Sequence, residues 1–166
     1  MPDFKRLATA ALLFCLPFAM QATGSAAPAS LSRGQTVYVP AYSHIYIGDR
    51  QQQFYLTATL SVRNSDPSGS IVIHSVDYYD SSGTLLRRYA PRALRVRPLG
   101  SLRYVVNESD KSGGSGASFL VRWSSETVVS EPVIETVMIG TGMQQGISFT
   151  SRGQAIREEP QQSTRP

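Results

Sequence analysis

From Phe54 to Arg63 the chain alternates apolar and polar residues without a break. Phe54, Leu56, Ala58, Leu60 and Val62 fall on one side, and Tyr55, Thr57, Thr59, Ser61 and Arg63 fall on the other. A period of two is the signature of a strand with one packed and one wet face. A helix would scatter these apolar residues around its circumference, so the segment commits its part of the chain to a half-buried sheet.

The rest of the sequence repeats the theme. Asn64-Ser65-Asp66-Pro67-Ser68-Gly69 supplies turn chemistry. Ile71 and Ile73 follow, then an irregularity, then Val76 and Tyr78. Asp80-Ser81-Ser82-Gly83 turns the chain, and Leu85 to Tyr89 returns as a hairpin arm. Further strands are predicted at Gln35–Val39, Ser43–Ile47, Ala93–Arg97, Leu102–Val106, Ser118–Ser124, Val133–Ile139 and Gly146–Thr150. Phe119, Val121 and Trp123 share one face and are expected in the core with Leu56, Leu60, Val62 and Ile73. Many short strands without a helical apolar repeat predict an all-β fold, an antiparallel β-sandwich of about seven to nine strands. A sandwich is expected over a barrel because Gly48–Gln53 and Asp110–Ala117 are long enough for crossings between sheets. One such domain is expected over residues 31–152, followed by a disordered tail at 156–166 that has no apolar pattern.

The N-terminus reads differently. Lys5 and Arg6 precede an apolar run from Leu7 to Met20, and small residues follow up to Ala27. This is the tripartite form of a secretory signal peptide over residues 1–26, and the run is shorter than the ~20 residues of a membrane span. Cleavage after Ala26 would leave about 140 residues, enough for one core, in the periplasm or secreted, without a transmembrane anchor. Cys15 is the only cysteine and lies within the run, after Phe14 instead of the small residue a lipid attachment site wants. The exported chain therefore has no thiol and no disulfide to rest on.

Charge excludes little. There are 16 Lys and Arg against 12 Asp and Glu, and without Lys5, Arg6 and Asp3 the balance is 14 to 11. Arg87, Arg88, Arg92, Arg95, Arg97 and Arg103 cluster in sequence. They are not interleaved with aromatic residues as a nucleic-acid face would be, so no nucleic-acid partner is expected. Wet strand positions account for them.

Catalytic chemistry is hard to assemble from these residues. His44 and His74 are the only imidazoles available to activate a serine, and no G-x-S-x-G elbow exists. Ser112-Gly113-Gly114-Ser115-Gly116 comes nearest, but no Lys-Ser/Thr pair follows it, which excludes a phosphate loop. Asp77, Asp80, Glu108 and Asp110 are the acids that a glycosidase or an oxygen-ligated metal would need, and turn capping is their simpler role. No catalytic residue, metal ligand or cofactor is assigned. The expected function is an exported, non-catalytic binding or assembly module of the cell envelope, its partner an envelope protein or a glycan. The alternatives are a carboxylate-dependent hydrolase of envelope polysaccharide and a stress-protective, chaperone-like role.

A binding surface is expected where small residues leave backbone N–H groups open and aromatic or charged side chains flank them. The candidates are Ser112, Gly113, Gly114, Ser115 and Gly116, with Tyr78, Tyr79 and Arg122. Tyr78 and Tyr79 are consecutive on a strand and face opposite sides, so at least one leaves the core.

The stretches VYVPAYSHIYIGD, FYLTATLSVRNSDP, SIVIHSVDYYDSSG, ESDKSGGSGASFLVRW and VMIGTGMQQGISFTSRG resemble an uncharacterised, mostly bacterial family catalogued as domain of unknown function 3124. The resemblance runs from about Leu31 to Ile156 and implies no known activity. The pattern from Leu60 to Gly83 is also similar to the water-stress/hypersensitive-response domain of late-embryogenesis-abundant proteins. That similarity implies an immunoglobulin- or fibronectin-like sandwich and a link to desiccation tolerance.

Overall fold

The inward set of Phe54, Leu56, Ala58, Leu60 and Val62 is almost wholly shielded from solvent, no member being more than 3% exposed. In the computed structural model, which describes residues 30–142 and 145–158, these side chains line the space between two antiparallel sheets. The expected signal peptide lies outside the described residues.

Twelve strands occur among the described residues, more than the seven to nine expected. They are β1 (Leu31–Pro40), β2 (His44–Ile47), β3 (Gln52–Tyr55), β4 (Thr57–Arg63), β5 (Ile71–Tyr79), β6 (Leu85–Arg88), β7 (Leu94–Val96), β8 (Ser101–Val106), β9 (Ser118–Ser130), β10 (Val133–Gly142), β11 (Gln145–Arg152) and β12 (Gln154–Glu158). The first sheet runs β12-β1-β9-β5-β6, with β7 also on β5, and the second runs β11-β10-β4-β8. A separate hairpin, β2-β3, makes a third sheet. Every pairing is antiparallel. The fold is an all-β sandwich.

Three differences from the expected strands have local causes. The alternating segment Phe54–Arg63 is not one strand but two, because at Leu56 the backbone leaves the sheet and donates to the Ser43 carbonyl (3.0 Å). Its side-chain alternation survives the break. The irregularity expected after Ile73 is a register shift between Ile73 and Ser75, which turns His74 outward and lets Val76 and Tyr78 return to the core. Finally, Ile156 does not begin the tail: Gln154–Glu158 pairs with β1, and residues 159–166 lie outside the described residues. Edge pairing satisfies backbone groups without needing an apolar pattern, so the side chains gave no notice of it.

Trp123, Phe119 and Val121 are fully buried on β9, the central strand of the first sheet. Across the sandwich, Thr136 on β10 donates its hydroxyl to the Pro40 carbonyl on β1 (2.5 Å), a hydrogen bond between the two sheets. The loop between β4 and β5 is built on buried polar groups. Asn64 Nδ2 reaches the carbonyls of Gly69, Arg97 and Val96, and the Asp66 carboxylate accepts from the N–H groups of Gly69 (2.6 Å), Ser68 and Ser130 (both 2.9 Å). Those donations hold the Asp66 carboxyl far below the usual carboxylate range, the Gly69 N–H contributing most.

Candidate functional site

The glycine-rich connection between β8 and β9 is tied to the sandwich through the carbonyls of Gly113 and Gly114 and the N–H of Gly116. Gly114–Gly116 forms one turn of 3-10 helix, docked onto the sandwich. The Ser43 N–H donates to the Gly114 carbonyl (2.9 Å), and the Ser81 N–H and hydroxyl both donate to the Gly113 carbonyl (3.0 Å). Gly116 N–H donates to Ser81 Oγ, and Ser112 N–H to the Asp110 carboxylate. Gly113 is buried against the Tyr78 hydroxyl, and Gly114 adopts φ of +75°, which L side chains rarely hold. The glycines are there because the turn must pack tightly.

Tyr78 accordingly leaves the expected surface. It is 2% exposed, its ring lies 4.9 Å from that of Phe119, and its hydroxyl meets Ser43 Oγ at 3.2 Å. Burial pushes its phenol above the ordinary value, against the opposing pull of the Ser43 hydrogen bond. Tyr79, half-buried, faces the other way beside Ser118 and Leu85. Arg122 is exposed, level with Thr36 and Ser75, on the opposite side of β9 from Trp123. Ser115 is half-buried within the docked turn.

A different surface emerges beside the same loop. On the β2-β3 hairpin, alternation sends Ile45, Ile47 and Phe54 onto the core and leaves His44, Tyr46, Gln53 and Tyr55 on the opposite face. His44 pairs across the strands with Tyr55, and Tyr46 with Gln53. The His44 ring meets Tyr46 edge-on at 5.1 Å and Tyr55 at 6.0 Å. Tyr55 donates to Gln53 Oε1 (2.7 Å), and Gln53 Nε2 stands 3.4 Å from His44 Nε2. Tyr46 is 53% exposed, whereas His44 is only 7% exposed and its Nδ1 is buried without a hydrogen-bond partner.

The β8–β9 connection closes this face with its lysine. Lys111 Nζ lies 4.0 Å over the Tyr55 ring, a cation–π contact. Tyr55, Lys111, Glu108 and Ser109 line an open cavity of about 550 Å³. The result is a surface of Tyr46, Tyr55, Gln53, Lys111 and Glu108, with the buried His44 ring in contact with both tyrosines.

Other chemistry-bearing groups are accounted for elsewhere. Asp80 caps its turn through Ser82 and Thr84, which lower its pKa, the Ser82 hydroxyl most strongly. Asp110 caps Ser112 and faces Arg87 at 4.0 Å, and Asp77 faces Arg88 at 4.0 Å. His74 Nε2 meets Ser124 Oγ at 2.7 Å, but on an exposed sheet face, and no acid orients the imidazole among the described residues. Among those residues no group of three or more His, Cys, Asp or Glu is placed to hold a metal. No helix there is long and apolar enough to cross a membrane.

A family model described as a protein of unknown function (DUF3124) matches residues 34–156, a span that reaches every strand of the sandwich. The chain belongs to that family. The match does not show the similarity to the water-stress domain. No curated protein matches the chain. The crystal structure of Thermotoga maritima 1070 is similar at 9% identity and a TM-score of 0.44, over 77% of this chain and 97% of that one. At that distance it carries no argument about this DUF3124 domain.

In the DUF3124 domain, Ser109 and Lys111 of the connection between β8 and β9 line the candidate patch. His44, Tyr46 and Tyr55 were not among the expected site residues. Two signals pointed to them. His44–Ile47 alternates polar and apolar residues, which places His44 and Tyr46 on one side and Ile45 and Ile47 on the other. Lys111 is the only lysine beyond Lys5 in a chain otherwise supplied with arginine.

Proposed function

We propose that this DUF3124 protein is an exported, non-catalytic binding module of the cell envelope, and that the outward face of the β2-β3 hairpin is its binding surface. The observation that carries the reading is the grouping of Tyr46, His44, Tyr55 and Gln53 beside Lys111 and Glu108 at one end of the sandwich. The exposed Tyr46 ring with tethered polar neighbours supplies contact area at low ordering cost. Export rests on the tripartite N-terminus read from sequence. The non-catalytic reading is supported by the engagement of Asp80 and Asp110 in turn caps.

The test has two parts. N-terminal sequencing of protein from a periplasmic fraction should begin near Ala27, and an intact Met1 would remove the export reading. Envelope components retained by the immobilised wild-type domain should be released by Tyr46→Ala, with an unchanged melting curve. Retention that Tyr46→Ala leaves intact would place binding elsewhere. Turnover of a polysaccharide, abolished by Glu108→Gln, would replace the binding module with a hydrolase.

A further inference from the structure

We infer that the occupant of the hairpin face is an uncharged saccharide. The inference rests on the binding-module reading and adds the chemistry of the ligand.

A sugar ring presents a C–H face to an aromatic side chain and a rim of hydroxyls, each both donor and acceptor. The patch matches both parts. Tyr46 is the exposed ring, 53% open to solvent and braced edge-on by His44. Around the rings stand a carboxylate acceptor in Glu108, an ammonium donor in Lys111, an amide in Gln53 and a hydroxyl in Ser109.

Charge decides against an acidic ligand. Lys111 and Glu108 line the same cavity and cancel, and the Lys111 ammonium is already drawn onto the Tyr55 ring. The hairpin turn repeats the balance with Asp49 and Arg50. A uronate or phosphate would meet Glu108 without a surplus cation to offset it. Arg95 on β7, Arg103 on β8 and Arg122 on β9 sit on other elements, and Arg87 on β6, the arginine that reaches this connection, faces the Asp110 carboxylate at 4.0 Å.

Lys111 also provides the probe. In the exported chain its Nζ is the only side-chain amine, so reductive ¹³C-methylation would give a single side-chain signal. That signal should move on titration with neutral oligosaccharides (cello-, malto- and chito-oligomers as a panel) and stay in place with oligogalacturonate. Calorimetry on the unmodified domain should show saturable binding of at least one neutral series. Tyr46→Ala should weaken it by about tenfold, the size of one aromatic contact. Tighter binding of oligogalacturonate than of any neutral oligomer, still lost in Tyr46→Ala, would overturn the uncharged class and leave the hairpin as the binding face. So would silence of the whole panel alongside an envelope protein released by Tyr46→Ala. Saccharide binding that neither Tyr46→Ala nor Lys111→Gln changes would overturn the hairpin reading itself.

Discussion

The Tyr78 hydroxyl occupies the space that a Cβ on Gly113 would need. These two residues, on β5 and on the connection between β8 and β9, fix how the loop bearing Lys111 lies against the sandwich. The hydroxyl bonds Ser43, whose N–H in turn holds the Gly114 carbonyl. Packing at one glycine thereby sets the position of the candidate surface.

Gly113→Ala is expected to destabilise the domain by about 1–3 kcal/mol through overpacking. Tyr78→Phe removes the nearest atom, so the double variant should lose less than the sum of the two singles. Chemical denaturation of all four proteins measures the coupling. Strict additivity would mean that the loop relaxes away from Tyr78 instead of being held by it.

Trp123 is fully buried and its Nε1 has no partner. Trp123→Ala should cost about 3–5 kcal/mol. Trp123→Phe should cost clearly less, because it keeps most of the packing and removes the unmet N–H. Equal losses for the two variants would show that a phenyl ring recovers none of the packing the indole provides.

Thr136→Val keeps the shape of the side chain and deletes the hydroxyl that bridges β10 to the Pro40 carbonyl on β1. A loss of about 1–2 kcal/mol is expected, the size of one buried hydrogen bond with its acceptor left unmet. A neutral result would show that the sheets do not use this bridge.

Asp66 carries a pH dependence of definite sign. Its folded pKa lies below the unfolded value, so the folded state binds fewer protons than the unfolded chain in acid. Its contribution is complete above the ordinary carboxylate value of ~4 and is lost as the pH falls below it. The gap in melting temperature between wild type and Asp66→Ala should therefore be widest near neutrality and narrow on acidification. A gap independent of pH would remove the backbone N–H donations as the cause.

Much of the sandwich was legible along the chain. Leu56, Leu60, Val62, Ile73, Phe119, Val121 and Trp123 were all expected inside and all lie in the core. Pairing was less legible. The break at Leu56 follows from the Ser43 carbonyl, a group distant in sequence, and β12 exists because the edge of β1 was open to it. The glycines of residues 113–116 were legible as a turn, but how that turn docks depended on Ser81, Ser43 and Tyr78 arriving from other segments.

By itself the sequence determined which side of β4 is wet, because alternation along an unbroken strand is a local property. It determined that Tyr46 and His44 share a face, and that Tyr78 and Tyr79 cannot. Only the tertiary structure decided that Lys111 comes to rest over Tyr55, and that Tyr78, not Tyr79, is the buried member of its pair. Such choices follow from sheet register and close packing between segments far apart in the chain, where the free energy depends on both partners at once.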